Sequence, residues 1–428
     1  MRNPRGTNRT VLLGAAAALV ALGAAHGEVA SDQPSAILIY PYISVDSAQG
    51  IDTVVQLSNT STGPVSVHCV YEQTTADCSS TSFFISLTPQ QPVAWRVSQG
   101  ESTFPIDGVT HTGSDGSSNQ GSVVPVAPSD PFIASLECVA VDRNKVPLGR
   151  NVLTGEATVE QRQTSAPPSF DAVAYNAVGI QAVEGARNTA GNLILGGPSA
   201  EYNGCPQTLT LTHFFDGAIE PTTKSRSIST TLFLVPCDQD LASGTVPDLV
   251  VSYYVFNEFS QRFRASREIN GCEQTTPLSS VDAPGRPTAS IFSFAVQGTL
   301  TAQTQVLAVP KPSSQGGGVV ALAVEVHQDL QDPSRTRTTI SNVHSRGTRA
   351  GPDFMRLPGL PSPPECVGDC NYDSSVTVDE ILIGVNIALG TSALSVCPQL
   401  DPDGNGQVTV DELLAAVNDA LNGCPAHY

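Results

Sequence analysis

The sequence is poor in aromatic residues and in positive charge, and both shortages limit what the chain can do. Aromatic residues make up 6% of its 428 positions, with a single Trp. Few aromatic rings are therefore available to stack against sugar rings. Lys and Arg number 21 against 40 Asp and Glu, so the formal net charge is −19. Nucleic acids and anionic membranes attract basic surfaces, so this balance argues against both as partners.

Long apolar runs are also scarce. Val11–Leu22 is the one candidate, and it follows a start that contains three arginines. With small residues at Ala25 and Gly27, the pattern predicts a secretory signal peptide over 1–27. The alternative is an uncleaved anchor, but a run of about fifteen residues is shorter than the roughly twenty needed to span a bilayer. We therefore expect a secreted or cell-surface protein that is not inserted in a membrane after cleavage.

Catalytic signatures are missing as well. The sequence contains no GxSxG, HExxH or phosphate-binding loop. Glu258 is a candidate carboxylate, but a glycosidase needs two placed carboxylates and no motif pairs with it. We expect His68 to face solvent from a strand and His213 to pack beside its neighbour. The sequence predicts no catalytic residue and favours a non-enzyme, with a secreted hydrolase as the alternative.

Short β-type runs dominate the chain between residues 28 and 345. Examples are "AILIYPYI", "VSVHCVYE", "LVVSYYVFN" and "VVALAVEVHQ", separated by segments rich in Gly, Pro, Ser and Asp. Alternation over 65–71 predicts one apolar face, as in a half-buried antiparallel sheet. With no regular helix between the runs, we predict a mainly β, antiparallel, sandwich-like region. It would form one or two units, with a division near 165–170.

The cysteines predict disulfides. Ten are present, six before residue 300 and four after residue 365, and an even count in an exported chain is typical of disulfide bonding. The pairing of the first six stays open. For the last four, which allow three pairings, we favour Cys366–Cys424 and Cys370–Cys397. A zinc site built from these four thiolates is the rival interpretation, although CxxC pairs are missing.

The last part of the chain differs in composition from the rest. Five prolines fall within 346–365, which predicts an extended and semi-stiff linker. Residues 366–428 contain nine Asp and Glu but neither Lys nor Arg. We interpret this segment as a separate C-terminal module.

This module contains an internal repeat. "DCNYDSSVTVDEILIGVNIALG" at 369–390 aligns with "DPDGNGQVTVDELLAAVNDALN" at 401–422, with an offset of 32 residues. Each copy offers oxygen ligands at loop positions 1, 3, 5, 7, 9 and 12, and position 7 does so through its backbone carbonyl. They are Asp369, Asn371, Asp373, Ser375, Thr377 and Glu380 in the first copy, and Asp401, Asp403, Asn405, Gln407, Thr409 and Glu412 in the second. Calcium takes six to eight such oxygens, so the repeat predicts two Ca²⁺ ions.

Each loop is followed by a pattern of helical period. Gly406 at position 6 of the second loop permits a sharp turn, whereas Ser374 replaces it in the first, so we expect the first site to be weaker. The apolar positions predict one core-facing stripe on each helix. They are Ile381, Leu382, Val385, Ala388 and Leu389, then Leu413, Leu414, Val417, Ala420 and Leu421.

Neither loop is preceded by a sequence that would form an entering helix, and in this the module resembles the dockerin family. The resemblance covers about 60 of the 428 residues. It implies two calcium ions, an all-α fold and docking to a cohesin-like or cell-surface protein partner. Dockerins read their partners at loop positions 10 and 11, here Val378-Asp379 and Val410-Asp411, and usually close the loop with Asp rather than Glu. The β region would then serve adhesion or display, or, in the alternative, would be a hydrolase carried by the module.

Overall fold

The computed structural model describes most of the chain in fourteen segments. They are 29–74, 78–102, 123–142, 145–163, 169–184, 192–245, 248–269, 275–310, 316–332, 335–349, 351–358, 367–370, 375–401 and 407–422. The predicted signal peptide lies outside them. Within these segments, no helix is both long and apolar enough to cross a membrane.

The described residues are mainly β. The first eleven strands are β1 (Ile37–Val45), β2 (Ile51–Asn59), β3 (Val65–Gln73), β4 (Ser80–Leu87), β5 (Pro92–Arg96), β6 (Glu101–Ser102), β7 (Val123–Val124), β8 (Phe132–Val141), β9 (Leu153–Gln163), β10 (Ser169–Asn176) and β11 (Val178–Ile180). The next twelve are β12 (Asn192–Leu195), β13 (Pro206–Phe214), β14 (Arg226–Pro236), β15 (Gln239–Asp240), β16 (Leu249–Asn257), β17 (Arg262–Ile269), β18 (Thr275–Pro277), β19 (Thr301–Pro310), β20 (Val319–Asp329), β21 (Thr336–Asn342), β22 (His344–Thr348) and β23 (Asp353–Arg356). Three α-helices accompany them: α1 (Phe294–Gln297), α2 (Val378–Ala388) and α3 (Val410–Asn422).

The strands divide among small sheets. Their orders are β11-β1-β8-β3-β4, β10-β9-β2-β5, β12-β23-β15, β17-β16-β19-β13-β22 and β18-β14-β20-β21, with β6-β7 as a separate ribbon. β15 pairs with β23 in parallel, and the other paired strands of the described segments run antiparallel, as between β1 and β8. The prediction of a mainly β, antiparallel region is confirmed.

The sandwich-like arrangement of one or two units is wrong. Such a fold would have one or two interlayer cores, whereas the buried residues of the β region form three large clusters. The second cluster joins β1, β3 and β8 to residues of β12, β20 and β23. The strands are spread over five sheets of three to five strands, and later parts of the chain cover the outer face of the first sheet.

The predicted division near 165–170 falls between two strands that pair with each other. β9 and β10, on either side of it, pair in one sheet, with Gln163 opposite Ser169. The sheets change strand membership after β11, which ends at Ile180, because no later strand joins the first two sheets. The later strands still contact the earlier ones: the Asn342 side chain donates to the Asn176 carbonyl oxygen at 2.8 Å.

The body also extends beyond the predicted boundary at residue 345. β23 lies within the segment predicted as a linker, yet it is the central strand between β12 and β15. Met355 and Leu357 are fully buried in the second cluster. The predicted linker is therefore wrong for β23, and residues 359–366, which contain most of its prolines, lie outside the described segments.

The residues of β3 pack against later strands on one face and against the first core cluster on the other. Val67 and Tyr71 face the first core cluster, as the alternation predicted, but Val70 on the other face is also fully buried. His68 was expected in solvent; it is 1% exposed and stacks on Phe84 with ring centroids 4.1 Å apart. The strand is buried on both faces because it separates two cores.

Disulfides stabilise this arrangement. Cys69 on β3 lies opposite Cys138 on β8 and is bonded to it, and a second bond joins Cys205 to Cys237. Cys78 is disulfide-bonded as well. The prediction of disulfides is confirmed, and such bonds are typical of oxidising, extracellular environments.

Candidate metal centre in the C-terminal repeat

The structure describes eight of the twelve predicted calcium ligands. These are Asp369, Ser375, Thr377, Glu380, Asp401, Gln407, Thr409 and Glu412. Asn371, Asp373, Asp403 and Asn405 lie outside the described residues. Within the described part of the chain, no three His, Cys, Asp or Glu side chains form a group that could hold a metal ion. Calcium binding therefore stays a prediction at these loops.

The two copies have the same local geometry where each loop meets its helix. α2 begins at Val378 and α3 at Val410, which are loop position 10 in both copies. At position 12, Glu380 accepts hydrogen bonds through Oε2 from the Thr377 backbone N (2.8 Å) and Oγ1 (2.9 Å). Glu412 accepts the equivalent pair from Thr409, at 2.7 and 2.8 Å. Each glutamate thus caps its own helix with Oε2, and its Oε1 takes no part in this cap.

The remaining oxygen distinguishes the two copies. Oε1 of Glu380 accepts a hydrogen bond from the Cys370 backbone N at 2.9 Å. Oε1 of Glu412 is buried and has no hydrogen-bond partner among the described residues. Both side chains are nearly inaccessible, 4% and 5% exposed. A buried carboxylate oxygen without a partner is costly, so the second copy differs from the first in holding a polar atom that no described residue satisfies.

A small core holds the two copies together. Ile387, Leu400, Val408 and Ala416 form a cluster that includes Cys397. Its packing is close because Gly384 has no side chain: a Cβ there would lie 2.8 Å from a Leu413 methyl group.

The chain around the first loop is anchored to this core. The Val367 N–H donates to Asp419 Oδ2 on α3 at 2.9 Å, and Cys370 is bonded to Cys397, as predicted. That bond removes two of the four thiolates that the alternative zinc site required. Cys366 and Cys424 lie outside the described residues.

The apolar stripe was predicted as core, and this is wrong for most of its length. Leu382 is 54% exposed and Leu389 72%, while their counterparts Leu414 and Leu421 are 63% and 78% exposed. The buried positions of the two helices are instead Glu380, Gly384 and Ile387, and Glu412, Ala416 and Asp419. Each helix turns its position-12 carboxylate and one small residue inward, and the four leucines named above face outward.

The exposed side chains form a matched pair of surfaces. Val378 and Val410 are 71% and 73% exposed, and each begins a series at spacings of four, three and four residues. The series are Val378, Leu382, Val385 and Leu389, and Val410, Leu414, Val417 and Leu421. We call them the twin apolar faces. This spacing places each set on one side of its helix.

Glu258, the candidate carboxylate of the sequence analysis, is held by hydrogen bonds to a neighbouring strand. Glu258 lies exposed in the turn between β16 and β17, where Oε1 accepts hydrogen bonds from the Thr301 N (3.0 Å) and Oγ1 (2.7 Å).

A surface cavity of about 280 Å³ beside β9 is lined by polar groups that include Asp32, Gln56 and Glu156.

His213 is buried and packed, as predicted. Its Nδ1 lies 2.8 Å from the Phe214 carbonyl oxygen and its Nε2 lies 2.8 Å from Thr304 Oγ1. A carbonyl only accepts, so Nδ1 carries the hydrogen and Nε2 accepts from the threonine. Burial lowers the pKa of His213 to about 4.

This histidine should weaken the fold in acid. The unfolded chain binds its proton near the ordinary pKa of 6.5, above the folded value of about 4. Stability is therefore lost as pH falls from about 6.5 to 4, by roughly 3 kcal/mol in full. Urea unfolding between pH 4 and 7 should show a shallower pH dependence for His213→Gln than for the wild type. His344→Gln, at an exposed position, is the control, and equal slopes for all three proteins would contradict the assignment.

Comparison with known proteins gives no family. No family model and no curated protein matches the chain. Among solved structures, the crystal structure of Thermotoga maritima 1070 is similar at 7% sequence identity and a TM-score of 0.22, over 34% of this chain and 95% of that one. A likeness this weak carries no functional argument.

Proposed function

We propose that the chain is a secreted or cell-surface protein whose C-terminal module binds two calcium ions and docks onto a protein partner. The observation that supports this best is the buried Oε1 of Glu412, which has no hydrogen-bond partner within the described segments. It belongs to a loop that, by sequence, offers further oxygens at alternate positions. A hard divalent cation is the group that such oxygens attract.

The twin apolar faces support the docking step. Four of their leucines are more than half exposed, and an exposed apolar surface on a small module is typical of an interaction site. The exposed Val378 and Val410 stand at loop position 10, where the dockerin resemblance places partner-reading residues. The partner is therefore a protein with an apolar recessed surface, cohesin-like or otherwise. In this proposal the β body serves adhesion or display.

Calcium would act on the module through folding. Nine carboxylates lie within the segment 366–428, which has no Lys or Arg, so their mutual repulsion opposes folding when no cation is bound. Cation binding removes this repulsion and fixes the loops, so binding free energy becomes folding free energy. The Cys370–Cys397 bond would retain part of the structure in the absence of calcium.

The docking prediction is tested with the full chain. Leu382→Glu combined with Leu414→Glu should abolish calcium-dependent capture of the partner from the native cell envelope, because each change places a charge on one apolar face. Phe259→Glu, which alters a side chain 71% exposed on the β body, is the matched control. Calcium titration should give unchanged stoichiometry in all three proteins. Capture that survives the double substitution, or that persists in chelator, would contradict docking by these faces.

The alternative function is a hydrolase delivered by the same module. The cavity that contains Asp32 and Glu156 is where two carboxyl groups line one open space, as glycoside hydrolysis requires. A screen of the purified chain on polysaccharides and peptides separates the two functions, since a display protein gives no turnover.

A further inference from the structure

The sheet β17-β16-β19-β13-β22 carries positive charge on its outer face. Its inner face packs in the third core cluster, through residues such as Tyr253 and Val306. Alternate residues of each strand point the other way. Arg262 and Arg264 on β17 and Arg346 on β22 are exposed on that side, and we call it the arginine face. Three arginines on one face are a local exception in a chain with a formal net charge of −19.

Acidic side chains lie only at the ends of the strands that build this face. The five strands contain one acidic residue, Glu268, next to the last residue of β17. Glu258, in the turn at the opposite end, is held by Thr301. Within the described part of the chain, none of the three arginines forms an ion pair with a carboxylate. Their N–H groups are therefore available to an anion from outside the chain.

Tyr254 on β16 positions both arginines of β17. Its ring centroid lies 4.7 Å from Cζ of Arg262 and 5.4 Å from Cζ of Arg264. Arg264 lies directly opposite Tyr254, and Arg262 lies opposite Phe256. Stacking on an aromatic ring uses the flat side of a guanidinium and leaves its N–H edge free. The pair thus presents two preorganised forks, the geometry that binds a carboxylate through two parallel hydrogen bonds.

A row of polar side chains continues from these arginines across the sheet. Tyr254 is followed by Gln305 on β19, and then by Thr210 on β13 and His344 on β22. Neighbouring strands lie about 4.8 Å apart, so the row from β17 to β22 is about 19 Å long. Amide and hydroxyl groups donate and accept hydrogen bonds, as sugar hydroxyls do. The row therefore suits an extended chain of several sugar rings whose carboxylates meet the arginines.

We propose that the arginine face binds an acidic polysaccharide of the uronate class through its carboxylates. The half-buried rings of Tyr254 and Phe256 add apolar contact with the sugar rings. Duplex DNA carries one charge per about 1.7 Å, so an acidic chain repels it more strongly than a polymer with at most one charge per sugar. The inference goes beyond the docking proposed for the tail, since it needs neither calcium nor a protein partner. It gives the adhesion role of the β body a ligand.

The test uses the full chain in chelator and polymers that differ only in charge. At least one of two uronate polymers, polygalacturonate and alginate, should bind. The methyl ester of that polymer, whose carboxylates are blocked, should bind about tenfold more weakly or less. Chelator removes any calcium bridge between the polymer and the acidic tail. Failure of the calcium proposal would therefore leave this binding intact, and calcium titration could still succeed if the binding failed.

Substitutions on β17 should weaken the binding. Arg262→Gln combined with Arg264→Gln should raise the Kd by about tenfold or more. Arg335→Gln combined with Arg337→Gln is the matched control, since it removes two exposed arginines at the same spacing beside another edge strand, β21, and it should bind as the wild type. Arg262→Lys with Arg264→Lys keeps the charge but loses the planar forks, so it should still raise the Kd by about threefold or more. Fluorescence of the buried Trp95 checks that each variant is folded.

Several results would overturn the proposal. Absence of binding to both uronate polymers, or equal binding of the acid and its methyl ester, would mean that carboxylates are not recognised. An equal loss in the two Gln double variants would mean that binding follows the overall charge and not this face. Tighter binding of a polyglutamate peptide or of a DNA duplex than of either uronate polymer would assign the face to another class of polyanion.

Discussion

Asp353→Ala should lower the free energy of unfolding by about 3–5 kcal/mol, because it leaves a partly buried cation and two buried backbone donors without their acceptor. Asp353 has no exposed surface. Its Oδ1 accepts from the Gly317 N (2.7 Å), the Gly318 N (2.9 Å) and Arg349 Nη1 (2.8 Å). One carboxylate oxygen thus anchors the start of β20 and the chain between β22 and β23.

The same carboxylate affects its neighbour Asp238. Burial, and next the charge of Asp353, raise the pKa of Asp238 to about 6. Loss of Asp353 would ease that repulsion, so part of the destabilisation should be recovered at neutral pH. Urea unfolding at pH 5 and pH 7.5 measures both effects. The control is Asp32→Ala, an exposed position in the same body. A cost of Asp353→Ala no larger than that of Asp32→Ala would contradict the anchoring role.

Glu412→Ala should abolish the second calcium site and loosen α3, whereas Glu380→Ala should have the smaller effect. Glu412 keeps one buried oxygen without a partner among the described residues, while the equivalent oxygen of Glu380 already accepts from Cys370. Ser374 at position 6 weakens the first loop further. At free calcium a thousand times the Kd, a bound ion stabilises by about 4 kcal/mol, and this is the scale of the loss expected.

Calorimetric titration of the full-length variants measures this asymmetry, and protection of α3 amides from hydrogen exchange reports the loosening. Asp411→Ala is the matched control, since Asp411 is an exposed neighbour in the same first turn. Two unaltered sites in both glutamate variants would refute the ligand assignment. A larger effect of Glu380→Ala would refute the order of the sites.

The sequence predicted the features that depend on local pattern. Short alternating runs became strands, and the helices begin at loop position 10 in both copies. The Cys370–Cys397 bond follows from the same repeat, since one cysteine lies in the first loop and the other just before the second. Local spacing was enough in each case.

What could not be predicted depends on distant parts of the chain. His68 is buried because later strands cover the second face of β3, and a period of two cannot show which faces will be covered. The apolar stripe of each helix was mistaken for core because a helical period shows that residues share a side but not that this side packs. The full burial of Ser135 and Glu137 on β8 also escaped notice, although polar residues inside the apolar run "FIASLECVAV" were the available signal.

The position of β23 determines how the body would respond to mechanical load. This strand is the last one before residues 359–366 and lies between β12 and β15. Tension on a docked tail would therefore enter the body through a central strand, whose hydrogen bonds to both neighbours would be sheared together rather than opened one at a time. In the docking arrangement proposed above, this central position would make the strand harder to extract from the body than an edge strand.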